Sequence, residues 1–210
     1  YNGAPYLQGG FIWDWKEQGL RLPVPPGRKF AKYENTKSFP LDPALGTFFG
    51  DGDLFDPERT MTDAGSPGDG LVNPDGTPQP EMAEIKKIYQ PIQMRARDLT
   101  KAEVELTNWY DFLSSEDWLA ADWRLVADGK TLQQGALENF TLAPREKKVL
   151  ALPLRAFEAA PATEYFLEVR FALKNKTPWA DAGHEIAWEQ FKLPVALTAQ
   201  LPPPPAAPAL

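Results

Sequence analysis

Hydrophobic and polar positions follow two different patterns along this chain. Beyond about residue 98 they alternate with a period of two. Segments 101–107, 118–127, 147–152 and 164–173 are short and rich in Val, Leu, Phe, Tyr and Trp. Turn pairs such as Asp128-Gly129 and Ala143-Pro144 separate them, and such spacing predicts antiparallel strands. Within 164–171, Tyr165, Leu167, Val169 and Phe171 share one face while Glu168 and Arg170 share the other, so one side is expected in a core and one in water. Residues 185–193 supply a last strand by the same alternation, with Ile186, Trp188 and Phe191 as core candidates. Together these strands predict an antiparallel β-sandwich.

The first part of the chain reads differently. Residues 6–15 form an apolar run that contains Gly9-Gly10 and closes on Trp13-Asp14-Trp15, which predicts a buried strand with rings and a carboxylate at its C-terminal end. Lys16 to Leu22 continue as a polar exit. Residues 23–67 keep no period of 2 or 3.6; Pro, Gly and Asp alternate with Phe30, Tyr33, Phe39, Phe48, Phe49 and Phe55, the composition of a long packed loop. Asp51, Asp53, Asp56 and Glu58 lie in it, but their spacing lacks the Gly and terminal Glu of a calcium loop and reads as a solvated acidic turn. A short strand is predicted at 70–73, a turn at Pro74-Asp75-Gly76, and a helix opening over Thr77–Pro80. Met82, Ile85, Ile88 and Tyr89 give that helix one apolar face, Glu84, Lys86 and Lys87 face water, and Pro91 ends it. Strand, long loop, strand, helix is a pattern of α/β type.

Composition narrows the class. At 210 residues the chain has room for one large or two modest domains. Its 22 prolines and 15 glycines cluster around 23–27, 40–80 and 202–208, which implies long ordered loops and, at Pro202–Pro205, a semi-rigid linker stub. A net charge of −7 argues against the basic footprint that nucleic acid requires. Without cysteine there is no disulfide, thiol nucleophile or thiolate metal site, and one histidine, His184, makes no multi-histidine zinc site. No apolar run approaches the roughly 18 residues of a membrane span, so the chain is expected to be soluble. It begins at Tyr1 and enters an apolar run almost at once, as though cut from something longer.

Indole rings beside a carboxylate at a strand end suit a sugar, whose C–H face stacks on the ring while its hydroxyls reach acceptors. Gly9-Gly10-Phe11-Ile12-Trp13-Asp14-Trp15, followed by Asp69-Gly70-Leu71-Val72-Asn73-Pro74-Asp75-Gly76-Thr77-Pro78-Gln79-Pro80-Glu81 and a Lys-bearing helix, resembles the last strands and helix of the catalytic barrel of family 2 β-galactosidases. Asp128-Gly129-Lys130, Leu142-Ala143-Pro144 and the stretch Trp179 to Phe191 resemble the immunoglobulin-like domain that follows the barrel there. The resemblance implies α/β plus all-β architecture: the terminal part of a (β/α)8 TIM barrel over residues 1–97, an immunoglobulin-like sandwich over 98–195 and a linker stub over 196–210. It implies part of a retaining β-galactosidase whose two catalytic glutamates lie upstream of this chain, so that these residues alone are inactive.

By the same resemblance Trp13 matches a sugar-facing tryptophan. Asp69 stands where the family usually has an Asn that touches sugar and sodium, and Ser66 where it often has a gating Phe, which puts the sodium site and the gate in doubt. No cofactor is expected within the chain beyond that sodium, with magnesium in the parent family. The partners implied are a β-galactoside and the remainder of the enzyme or another copy of the chain, and the compartment implied is the cytoplasm. Two other readings stand beside this one. The chain is then either a non-catalytic sandwich that binds glycans through Trp109, Trp118, Trp123 or Trp188, or one subunit of a split glycosidase.

Overall fold

The computed structural model describes residues 6–23, 46–50 and 70–194. They belong to two compact units, Tyr1–Lys86 and Lys87–Leu210.

In the first unit, β1 (Leu20–Pro23) pairs antiparallel with β2 (Thr47–Gly50). The helix α1 (Glu81–Ile88) carries Glu81 and Glu84 in its first turn, where carboxylates favour the positive end of the helix dipole. Among the described residues of this unit Phe49 is the one buried hydrophobic side chain. Residues 6–15, expected as a buried strand, form none: Phe11, Trp13 and Trp15 all stand exposed, and regular pairing starts only at Lys16. A run of rings with nothing packed over it has no driving force for burial within this chain. The predicted strand at 70–73 reduces to bridges through Val72, and no barrel is formed among the described residues. The apolar face expected on the helix is only partly covered: Met82 and Ile85 are half-buried, while Ile88 and Tyr89 are exposed.

The second unit is a β-sandwich. One sheet has the order β3-β4-β7, from Ile92–Asp98, Glu103–Asn108 and Lys147–Ala151. The other has the order β6-β5-β8-β9, from Lys130–Ala136, Leu119–Ala127, Tyr165–Leu173 and Glu185–Lys192. Every pairing is antiparallel. The unit begins before residue 98, because Ile92 and Met94 of β3 lie in the sandwich core. That core takes Val104 and Leu106 from one sheet and Leu119, Trp123, Leu125, Tyr165, Leu167, Val169 and Phe171 from the other. Each such side chain contributes about 2 kcal/mol on leaving water.

Alternation puts Tyr165, Leu167, Val169 and Phe171 inside as the sequence predicts. On β9 it selects Ala187 and Phe191, and Ile186 packs at the core margin. Trp188, read from sequence as core, points the other way and is 42% exposed. Asp128 and Gly129 join β5 to β6 with φ of 43° and 79°, the left-handed pair that a tight hairpin requires.

Two further devices hold the sandwich. Asn108 is fully buried; its Nδ2 donates to the carbonyls of Leu113, Leu142 and Ala143, and its Oδ1 accepts from the Tyr110 N–H at 3.0 Å. It thereby ties two loops at one end. The short helix α2 (Ser115–Trp118) starts from the equally buried Ser115, whose Oγ accepts from Leu142 N–H at 2.9 Å and donates to Phe140 O at 3.1 Å. At the outer edge of β9, the Trp188 N–H donates to Gln90 Oε1 at 3.1 Å, and Lys87 Nζ donates to the Trp188 carbonyl. An open strand edge is a template for aggregation, and these two side chains cover it at Trp188.

Candidate functional site

The two stretches that carried the resemblance meet in the first unit at a parallel contact. Leu71 N–H donates to the Asp14 carbonyl and Val72 N–H to the Trp15 carbonyl, each at 3.1 Å, while Glu17 N–H donates to Val72 O at 2.9 Å. Lys16 and Val72 are thus parallel bridge partners. Parallel neighbours need a crossover between them, and the long loop supplies its length.

Gly70 is required at this contact by close approach, not by its dihedrals. A Cβ there would fall 2.4 Å from Glu17 N and 2.9 Å from Glu17 Cγ. The space is taken by the buried Glu17 side chain, whose Oε1 accepts from Gly70 N–H at 2.7 Å. No local pattern singles out Glu17; the signal that could have found it is the glycine opposite.

The turn that follows is fixed by side chains. Asp75 Oδ1 accepts from the Thr77 N–H at 2.9 Å and from its hydroxyl at 2.7 Å, and Asn73 N–H donates to Thr77 O at 2.8 Å. The Thr77 backbone donor, more than any other group, holds the Asp75 carboxyl below its ordinary range. Gln79 then closes the motif, donating from its backbone to Leu71 O at 2.9 Å and from its side chain to Gly70 O.

The contact leaves Trp13 free. Its ring is 81% exposed, the Trp13–Asp14 peptide bond is cis, and Asp14 Oδ2 accepts from Gln18 Nε2 at 2.9 Å. Asp69, Ser66, the acids at 51, 53, 56 and 58, and the proline-rich tail lie outside the described residues. Among the described residues no three His, Asp or Glu side chains converge as metal ligands would. His184 sits edge-on to Trp179 with ring centroids 5.7 Å apart, a loop contact of the sandwich. Of the tryptophans proposed for glycan binding, Trp123 is buried at the core, Trp109 and Trp118 are half-buried, and Trp188 presents its ring on the outer face. No described helix is long and apolar enough to cross a membrane.

The sandwich matches a domain family: residues 104–194 fit the model of "Beta-galactosidase, domain 4". The similarity also extends across the first unit. The chain is 35% identical over 197 residues to a β-galactosidase of Priestia megaterium and 33% identical over 198 residues to one of Aeromonas hydrophila. It is 31% identical over 197 residues to "Beta-galactosidase 2" of Enterobacter cloacae. These alignments cover 92–94% of this chain and 17% of each relative. By sequence, then, the chain is similar to part of these β-galactosidases, and it spans about a sixth of the length of the curated relatives it matches.

Proposed function

We propose that this chain forms the end of a (β/α)8 barrel and the following immunoglobulin-like sandwich of a retaining β-galactosidase, with Trp13 in the wall of the sugar site. The observation that carries this reading is the 35% identity to a β-galactosidase over 92% of the chain, continuous across both units. The parallel contact of Lys16 with Val72, followed directly by α1, supports the barrel, whose neighbouring strands run parallel and are each followed by a helix. For the immunoglobulin-like assignment the support is strand order, the buried Trp123 on β5, and Tyr165 at the start of β8. The Tyr165 hydroxyl accepts from the Ala160 N–H at 2.8 Å, the kind of corner that recurs in such sandwiches.

The chemistry would be protonation of the leaving oxygen by one carboxylic acid and attack by a second carboxylate, giving a covalent glycosyl-enzyme that water then hydrolyses. Two carboxyl groups about 5 Å apart are needed. In this reading they belong to the remainder of the enzyme, with which the chain assembles, and the chain contributes an indole face for the galactose ring. Asp69 and Ser66, where sodium is expected, lie outside the described residues.

The test is hydrolysis of a chromogenic β-galactoside by the 210-residue chain, alone and mixed with a β-galactosidase of a relative from which the matching segment has been deleted. No turnover alone, turnover on mixing, and a loss of tenfold or more in kcat/KM with Trp13→Ala are expected. Turnover by the chain alone, abolished by Asp14→Asn or Glu17→Gln, would sink the assignment of the catalytic pair to other residues.

A further inference from the structure

The outward face of the four-stranded sheet carries two cross-strand rows that the catalytic reading does not use. In one, Arg124 pairs with Glu168 at 2.8 Å, and Glu168 accepts from Gln190 Nε2 at 2.9 Å. In the other, Asp122 lies opposite Arg170 and Arg170 opposite Trp188. A surface groove runs between these rows, lined by Asp122, Arg124, Glu168, Arg170 and the Trp188 ring.

We propose that this groove is a saccharide-binding platform that takes a neutral hexopyranoside stacked on Trp188. Three features select that ligand. The indole is held in place rather than free to rotate, because Lys87 Nζ lies over one ring face 4.1 Å from its centroid while the ring still lines the groove. A fixed aromatic plate loses little entropy on binding, and a pyranose C–H face is its complement.

Secondly, the charges are largely engaged with one another, Arg124 with Glu168, Arg170 with Asp122 and Lys87 with Glu189, while Glu185 also lines the groove and leaves it slightly negative, which disfavours a phosphate. What remains are planar donors and acceptors, which suit sugar hydroxyls. Thirdly, Arg170 is loosely held: its Nε lies 3.5 Å from Asp122 Oδ2 and both side chains are close to half exposed, so a ligand hydroxyl can bridge the terminal guanidinium nitrogens and the carboxylate.

The experiment is a ¹H–¹⁵N NMR titration of the 210-residue chain with lactose and with cellobiose, and with inorganic phosphate as the charged comparison. Saturable shifts confined to β5, β8 and β9 around Trp188 are expected with a disaccharide and none with phosphate. Trp188→Ala should weaken binding about tenfold, and Phe112→Ala, which removes an exposed ring outside the groove, should leave it unchanged. Where Trp188→Ala does not fold, Arg170→Gln keeps the ring and should still weaken binding severalfold. No saturable shift with either disaccharide, shifts that map elsewhere, equal binding of phosphate, or unaltered affinity in a folded Trp188→Ala or Arg170→Gln chain would each overturn the platform. Since turnover is not the readout, the catalytic proposal and this one fail separately.

Discussion

Single residues set the tolerance of both units. Asn108 satisfies three carbonyls and one N–H in a site without water access, so Asn108→Ala leaves several buried groups unpaired at once. A loss of about 3 kcal/mol is expected, read as a lower urea midpoint at unchanged slope. Asp75 makes the opposite kind of contribution, exposed and pH-dependent. Its carboxyl is held below the ordinary value of 3.8 by donors from Thr77, so its stabilisation of the 73–77 turn is complete above that value. It is lost as the pH falls through the lower folded value. The protection of the Thr77 amide, measured as its exchange rate relative to the intrinsic rate at each pH, should therefore fall on acidification, and Asp75→Asn should remove that dependence.

At the scale of elements, the edge of β9 depends on two side chains from the segment before the sandwich. Gln90→Ala uncovers the Trp188 N–H, and a cost of about 1 kcal/mol with faster self-association on mild heating is expected, followed by denaturation and light scattering. Which elements were legible in the sequence follows from how each is buried. Strands β5, β8 and β9 alternate cleanly because each has one face in the core, and their limits fall within a residue or two of those predicted. Strand β3 escaped notice because Gln93, Arg95 and Arg97 interrupt its few apolar residues, and β6 because it is a largely exposed edge strand with only Leu132 as a large apolar side chain. The run at 6–15 misled for the converse reason. Its rings look like core by composition, but burial needs a partner surface, and the described part of this chain offers none. The same limit applies to the site. Gly70 signalled a close approach that the structure shows, whereas the outward turn of Trp188 depends on the register of β9 against β8, which no local pattern fixes.

For the whole molecule, the buried apolar side chains belong almost entirely to residues 92–193 among those described. Stability should therefore reside in the second unit. A polypeptide of residues 87–194 is expected to unfold in one cooperative transition, with a melting temperature within a few degrees of the main transition of the full chain. Calorimetry checks this, and a large drop would mean that the first unit carries more of the free energy than its core implies.

The lid over β9 also bears on where this domain starts. The stretch that family similarity delimits, 104–194, omits both the strand that flanks β4 and the residues that seal the far edge of β9. Excised at those bounds, the domain would carry two raw edges and stick to copies of itself. The domain match is thus shorter than the unit that covers its own strand edges, and restoring the difference of some seventeen residues is expected to suppress self-association.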